Sequence, residues 1–122
     1  MMQNPFTAAA GGNGSRAYLC LNCSLAVSYS DRLVAVSGLK RHSFTNPEGV
    51  LCEFFTFSSC PGAATFGYPT EEYSWFSGYG WSLALCRQCG NHLGWHYRQS
   101  SDSEQLPEFW GILINQIQPY PG

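Results

Sequence analysis

Apolar and polar residues alternate over several short stretches of this chain, and nowhere does a repeat of three to four residues persist. Alternation puts every second side chain on one face of an extended strand, whereas a helix repeats every 3.6 residues. Leu25, Val27 and Tyr29 alternate with small or polar residues, which predicts a half-buried strand. A short strand at 16–19 precedes it, and an apolar run at 33–36 follows an interruption at Ser30 and Asp31. The run VLCEFFTF at 50–57 is β-branched, aromatic and of strand length. Trp81, Leu83 and Leu85 predict another strand, 92–98 the next, and 109–117 the last. Asn46-Pro47-Glu48-Gly49 is a turn, with Pro suited to its second position and Gly to its fourth. Pro61, Gly62 and Gly67 mark 58–68 as a loop, and 76–80 is a hinge containing Gly78 and Gly80. Residues 99–108, QSSDSEQLPE, form a polar connection. Residues 1–15 are Gly/Asn-rich without periodicity and read as a flexible tail, leaving one mainly β domain at 16–122.

Composition sharpens this picture. Aromatics make up 16% of the residues and charged residues 11%, against about 25% charged in an average soluble domain. So much aromatic surface needs a dense core or a lined pocket. The net charge is -2 and the six Lys plus Arg form no run, so no nucleic-acid partner is expected. No apolar stretch approaches the roughly 20 residues that span a bilayer, so no membrane partner is expected either. The start, MMQNPFTAAAGG, lacks the basic head and apolar run of a secretory signal. The expected location is the cytoplasm, where paired C-x-x-C units bind metal more often than they form disulfides.

Cys20 and Cys23, then Cys86 and Cys89, give C-x2-C-x62-C-x2-C. Two intervening residues let one tight turn aim both sulfurs at a single ion. Four thiolates suit Zn2+ and leave no open coordination position, so one structural zinc is expected. The competing reading is two separate redox or coincidental pairs. Cys52 lies in a strand-like apolar run and reads as a small core residue. Cys60, beside Pro61, is an exposed or a passive thiol, with no neighbouring His, Lys or Arg to activate it. His92 and His96 are four apart on a predicted strand, which is not a metal-binding face.

Trp75, Trp81 and Trp95 cluster around the second cysteine pair. They are either core or the walls of a pocket. Buried indole N–H groups need partners, which three in so small a core would strain to find. Gly78, Gly80 and Gly94 would allow a ligand to approach the backbone closely.

Trp75-Phe76-x-Gly78-Tyr79-x-Trp81, followed by Cys86-x-x-Cys89-x-x-His92-Leu93-Gly94-Trp95-x-Tyr97, strongly resembles the thalidomide-binding (CULT) domain family of cereblon. Cys20-x-x-Cys23, Asn46-Pro47 and Phe109-Trp110-Gly111 fall in place too, so the resemblance covers nearly everything from about residue 16 onward. It implies two antiparallel sheets set at an angle and pinned by zinc, a β-tent, in the manner of a bacterial single-domain homologue. It further implies an aromatic cage walled by Trp75, Trp81 and Trp95, with Tyr97 at its base and Asn46 at its rim. Such a cage would hold a cyclic imide such as glutarimide, whose N–H and carbonyl meet backbone groups near Tyr73 and Trp75. Trp110 reads as core. Tyr73 replaces a histidine of the animal family members, and Tyr97 a phenylalanine. No catalytic residue and no ubiquitin-ligase adaptor are expected. Two other readings compete: a cage for quaternary ammonium groups, with Glu71 and Glu72 nearby, and an enzyme like the B-type methionine sulfoxide reductases. A zinc deaminase is disfavoured because none of His42, His92 and His96 has the required His-x-Glu partner.

Overall fold

The computed structural model describes residues 15–100 and 106–121. The tail expected at 1–15 lies outside the described residues except for Ser15, whose hydroxyl is 3.2 Å from that of Ser30. The middle of the polar connection, 101–105, lies outside them as well.

Among the described residues there are nine strands, two 3-10 turns and no α-helix. In the smaller sheet β1 (Ala17–Cys20) lies between β2 (Ala26–Tyr29) and β9 (Ile117–Tyr120). The larger sheet runs β3 (Arg41–Thr45), β4 (Leu51–Phe57), β8 (Phe109–Leu113), β7 (His92–Gln99), β6 (Tyr79–Cys86) and β5 (Ala63–Thr70). Every pairing is antiparallel, giving the expected all-β fold of two antiparallel sheets.

The larger sheet is covered on both faces, and period-two alternation divides its residues between two cores. Ala84 and Cys86 of β6, Ile112 of β8 and Phe57 of β4 pack with Cys20, Val27 and Ile117 of the smaller sheet. On the opposite face Phe54, Tyr97 and Phe109 form a second, aromatic core with Phe76, and Trp75, Trp81 and Trp95 lie against it. Register places Trp81 opposite Tyr97, and Tyr97 opposite Phe109.

Several elements differ from expectation. Residues 63–68, read as part of a loop, belong to edge strand β5. Its register shifts between Phe66 and Thr70, around Gly67 (φ 89) and Pro69. An edge strand tolerates both residues, because its outer N–H groups bond no neighbour. Strand β2 is buried at all four positions instead of every second one. The 59–62 segment covers it, with the Ser28 hydroxyl donating to the Ser59 carbonyl at 2.7 Å and the Gly62 N–H to the Val27 carbonyl at 3.0 Å. The run 33–36 makes only isolated bridges, Leu33 to Phe57 and Val36 to Leu39. The single last strand is two, because the 3-10 turn Ile114–Gln116 carries the chain from β8 in one sheet to β9 in the other. Strand β3 was not anticipated.

Candidate functional site

The cysteine pairs sit where the two sheets meet. Cys20 ends β1 and Cys86 ends β6, and the same turn follows each. The Cys20 N–H donates to the Leu25 carbonyl (2.7 Å) and the Ser24 N–H to the Cys20 carbonyl (2.8 Å). Correspondingly, the Cys86 N–H donates to Asn91 (2.8 Å) and the Gly90 N–H to Cys86 (2.9 Å). The fifth residue of each turn is left-handed, Ser24 at φ 69 and Gly90 at φ 78.

All four sulfurs lie within 4.8 Å of one another. Cys20 Sγ is 3.7 Å from Cys89 Sγ, and Cys23 Sγ is 3.5 Å from Cys86 Sγ. These separations are far from the ~2.05 Å of a disulfide. They are close to the ~3.8 Å edge of a tetrahedron of sulfurs ~2.3 Å from a central zinc. Burial pushes the Cys20 thiol up to about 12, whereas hydrogen bonds from the Asn22 side chain and the Asn91 backbone pull the exposed Cys89 down to about 6. Buried Cys20 and Cys86 would carry thiolate only beside a cation, and the four converging sulfurs provide the place for one. The four cysteines form a metal-ion site.

On the other face lies a cavity of about 440 Å³. Tyr97 forms its floor, being 1% exposed, while Trp75, Trp81 and Trp95 are half-buried walls. Tyr73, 67% exposed, shares the rim with Asn46, Pro47 and Glu48. Trp75 and Trp95 meet at a right angle (centroids 5.2 Å apart, 84°), forming a corner. Phe44 stacks on Trp75 (5.1 Å, 9°), as does Phe54 (5.7 Å, 16°). The Trp81 indole N–H donates to the Glu72 carbonyl at 2.8 Å, tying the third wall to the loop that carries Tyr73 and Trp75. Tyr73 has φ 59, a left-handed conformation that costs a non-glycine residue roughly 1–2 kcal/mol. Asn46 accepts from the N–H groups of Glu48 (3.0 Å) and Val50 (2.9 Å), so its side chain shapes the rim turn.

Residues 17–121 match the family described as "Yippee zinc-binding/DNA-binding /Mis18, centromere assembly". The chain belongs to this family. Among similar proteins, the cereblon of Gallus gallus is 35% identical over 77 residues, 63% of this chain and 17% of that protein. For Danio rerio cereblon the identity is 32% over 77 residues, and for Drosophila melanogaster cereblon 29% over 105 residues, 83% of this chain and 18% of that protein. The chain thus spans less than a fifth of the length of the cereblons it matches. These similarities bear out a cereblon-like, metal-binding domain of the family.

Other expected site features fall out differently. The glycines near the tryptophans do not open the backbone to a ligand. Gly78 (φ 85) makes a turn, a Cβ on Gly80 would face Thr70, and one on Gly94 would face Gly111 of β8. Cys60 is buried and its thiol pushed up strongly by desolvation, so it is the passive thiol. Cys52 is a buried residue with its thiol also raised by desolvation. His96 is buried against Glu108 (3.0 Å) and Trp110, while exposed His92 bonds the Gly94 carbonyl (2.9 Å). Glu48 at the rim and Phe44 behind Trp75 went unnoticed in the sequence; Glu48 belonged to a turn that was recognised, whereas Phe44 lies on the unanticipated β3.

His42 lies beneath the Trp75 wall, stacked on Phe54 (5.4 Å, 17°) and edge-on to Phe76 (5.2 Å), with Nε2 2.9 Å from the Leu39 carbonyl. Desolvation lowers its pKa. The unfolded chain therefore binds the proton first as pH falls. The stability that neutral His42 contributes is intact above the unfolded value, about 6.5, and is lost as pH drops through it toward the folded one. The urea midpoint of metal-loaded protein should fall between pH 7.5 and 5.5, and His42→Phe should make that fall smaller. An equally steep fall in the variant would remove His42 from the account.

Proposed function

We propose that this domain is a non-catalytic binder of cyclic imides: glutarimide, thalidomide-type compounds, uracil-like rings or cyclised Asn/Gln chain ends. The observation that carries the proposal is the cavity built from three indoles over a buried tyrosine floor. Flat indole faces suit the apolar carbons of a small ring, and the backbone of Tyr73 and Trp75, residues that line the cavity, would supply the imide's donors and acceptors. The ion in the cysteine site is zinc, held by four sulfurs and serving the fold. The thiols of Cys52 and Cys60, raised by burial, do not supply a nucleophile. DNA binding, named in the family description, is not carried over, because six Lys plus Arg against eight Asp plus Glu offer little to a phosphate backbone. Ligand capture is the whole of the proposed role, performed without a ubiquitin-ligase adaptor in the cytoplasm.

One observation favours a second ligand class. Glu48 places a carboxylate on the rim, and an aromatic box with an acidic edge also suits a quaternary ammonium group. The two readings separate in a tryptophan-fluorescence titration with glutarimide and with tetramethylammonium. Saturable quenching by glutarimide alone is expected. Trp95→Ala should weaken it about 10- to 100-fold, corresponding to the ~1–3 kcal/mol of one stacked ring. Response to the ammonium ion alone would replace the imide reading, and silence from folded, metal-loaded protein toward both would end it.

A further inference from the structure

We infer that the Tyr97 hydroxyl is a recognition group on the floor of the cavity, selecting rings whose inserted edge carries a hydrogen-bonding atom over rings whose inserted edge is all carbon. The inference rests on the cyclic-imide reading and ranks ureide-like and heteroatom-containing imides above all-carbon ones within it.

Packing fixes the tyrosine ring. It stacks on Phe109 (4.9 Å, 15°) and meets Phe76 edge-on (5.0 Å, 79°). A phenylalanine would fill the same space, so packing alone does not call for the oxygen. That oxygen has no hydrogen-bond partner among the described residues, although Tyr97 is 1% exposed. Yet it is not sealed in, since no buried side-chain oxygen or nitrogen among the described residues lacks both a partner and solvent contact. Because the residue lines the cavity, the cavity is where the hydroxyl meets solvent.

The hydroxyl is also chemically distinct from its surroundings. Desolvation raises the phenol well above its ordinary value, so it stays neutral and can donate and accept. Indoles only donate, which leaves Tyr97 as the one wall or floor side chain able to accept a hydrogen bond. Without a ligand, water entering the cavity would satisfy it. A ring presenting CH2 to the floor displaces that water and strands the hydroxyl, whereas a ring N–H or ring oxygen replaces the lost bond.

The test uses three neutral rings on metal-loaded wild type and Tyr97→Phe: glutarimide, dihydrouracil and morpholine-3,5-dione. Relative to glutarimide, dihydrouracil places N–H beside one imide carbonyl, and morpholine-3,5-dione places oxygen opposite the imide nitrogen. Wild type should prefer at least one heteroatom ring, and Tyr97→Phe should shift that ratio toward glutarimide about tenfold. An unchanged ranking, with all three still bound, overturns the hydroxyl's role and leaves the imide reading standing. No binding of any ring by either folded protein overturns both. Should the variant fold poorly, the wild-type ranking decides, since preference for glutarimide over both other rings contradicts the inference.

Discussion

Stripping the metal with a strong chelator, or replacing Cys86 with serine, should abolish the folded state of this domain. The cysteine site joins the end of β1 to the end of β6, and Cys20 and Cys86 are themselves part of the core between the sheets. Without an ion, four sulfurs remain packed within 4.8 Å, two of them on buried residues. Structural zinc contributes about 10–16 kcal/mol in small metal-folded peptides. A domain of this size has a total stability of roughly 5–15 kcal/mol. The metal term is therefore about as large as the whole net stability, and its loss would leave the two cores little or nothing in reserve. Near-ultraviolet circular dichroism, which reports the packing of the many aromatic rings, should collapse on chelation and return on adding Zn2+. Cys52→Ser serves as the control: it removes a buried sulfur outside the site and should leave the metal-dependent transition in place. A chelated protein that keeps its near-ultraviolet signal would show that the sheets hold without the ion.

Gly94→Ala should be nearly as damaging, with a cost above about 4 kcal/mol, in the range reserved for severe backbone or core disruption. A Cβ at position 94 would sit 2.0 Å from the Gly111 carbonyl oxygen and 3.0 Å from Ile112 Cα. Both obstacles are backbone, so no side chain can swing aside. Relief requires β7 to separate from β8, the pair that aligns Trp95 with Gly111 and Tyr97 with Phe109. Gly111→Ala provides the graded comparison. Its Cβ would meet the Phe54 ring at 2.8 Å, and a ring can shift, so a cost of about 1–3 kcal/mol is expected. Because Phe54 stacks on Trp75 and touches Trp95 edge-on, the milder variant should also weaken the proposed imide binding. Urea denaturation of the two variants gives the order, and equal costs would refute the backbone argument.

The cysteine spacing was legible because a metal turn is local: two residues between ligands determine the geometry, and the long gap needs only a sheet to close it. Strands β4, β6 and β7 were legible because each carries large apolar residues at short spacing. Edge strand β5 was not, since its glycine and proline write the signature of a loop while its inner edge still pairs with β6. Strand β3 was missed because His42, a polar residue by type, takes a buried aromatic position beside Phe44 and Phe54. The cavity was legible only as a set of residues. Its depth order, with Tyr97 lowest and Tyr73 outermost, arises from pairing across β6, β7 and the 71–78 loop, which no local pattern encodes.

Side chains of β6 alternate between two cores, one shared with the cysteine site and the other with the aromatic cavity, and β7 sends Leu93 to the first and Trp95 and Tyr97 to the second. If either strand slipped by one position, every side chain on it would change sides: tryptophans would be driven toward the cysteine site, and alanine and serine would face the cavity. The first turn of β6 into β7 carries Cys86 and Cys89, so an ion that grips both fixes the phase of the two strands at their shared end. An ion held there would thus act as a proofreading device for the aromatic cavity, admitting one alignment of β6 with β7 and rejecting its neighbours.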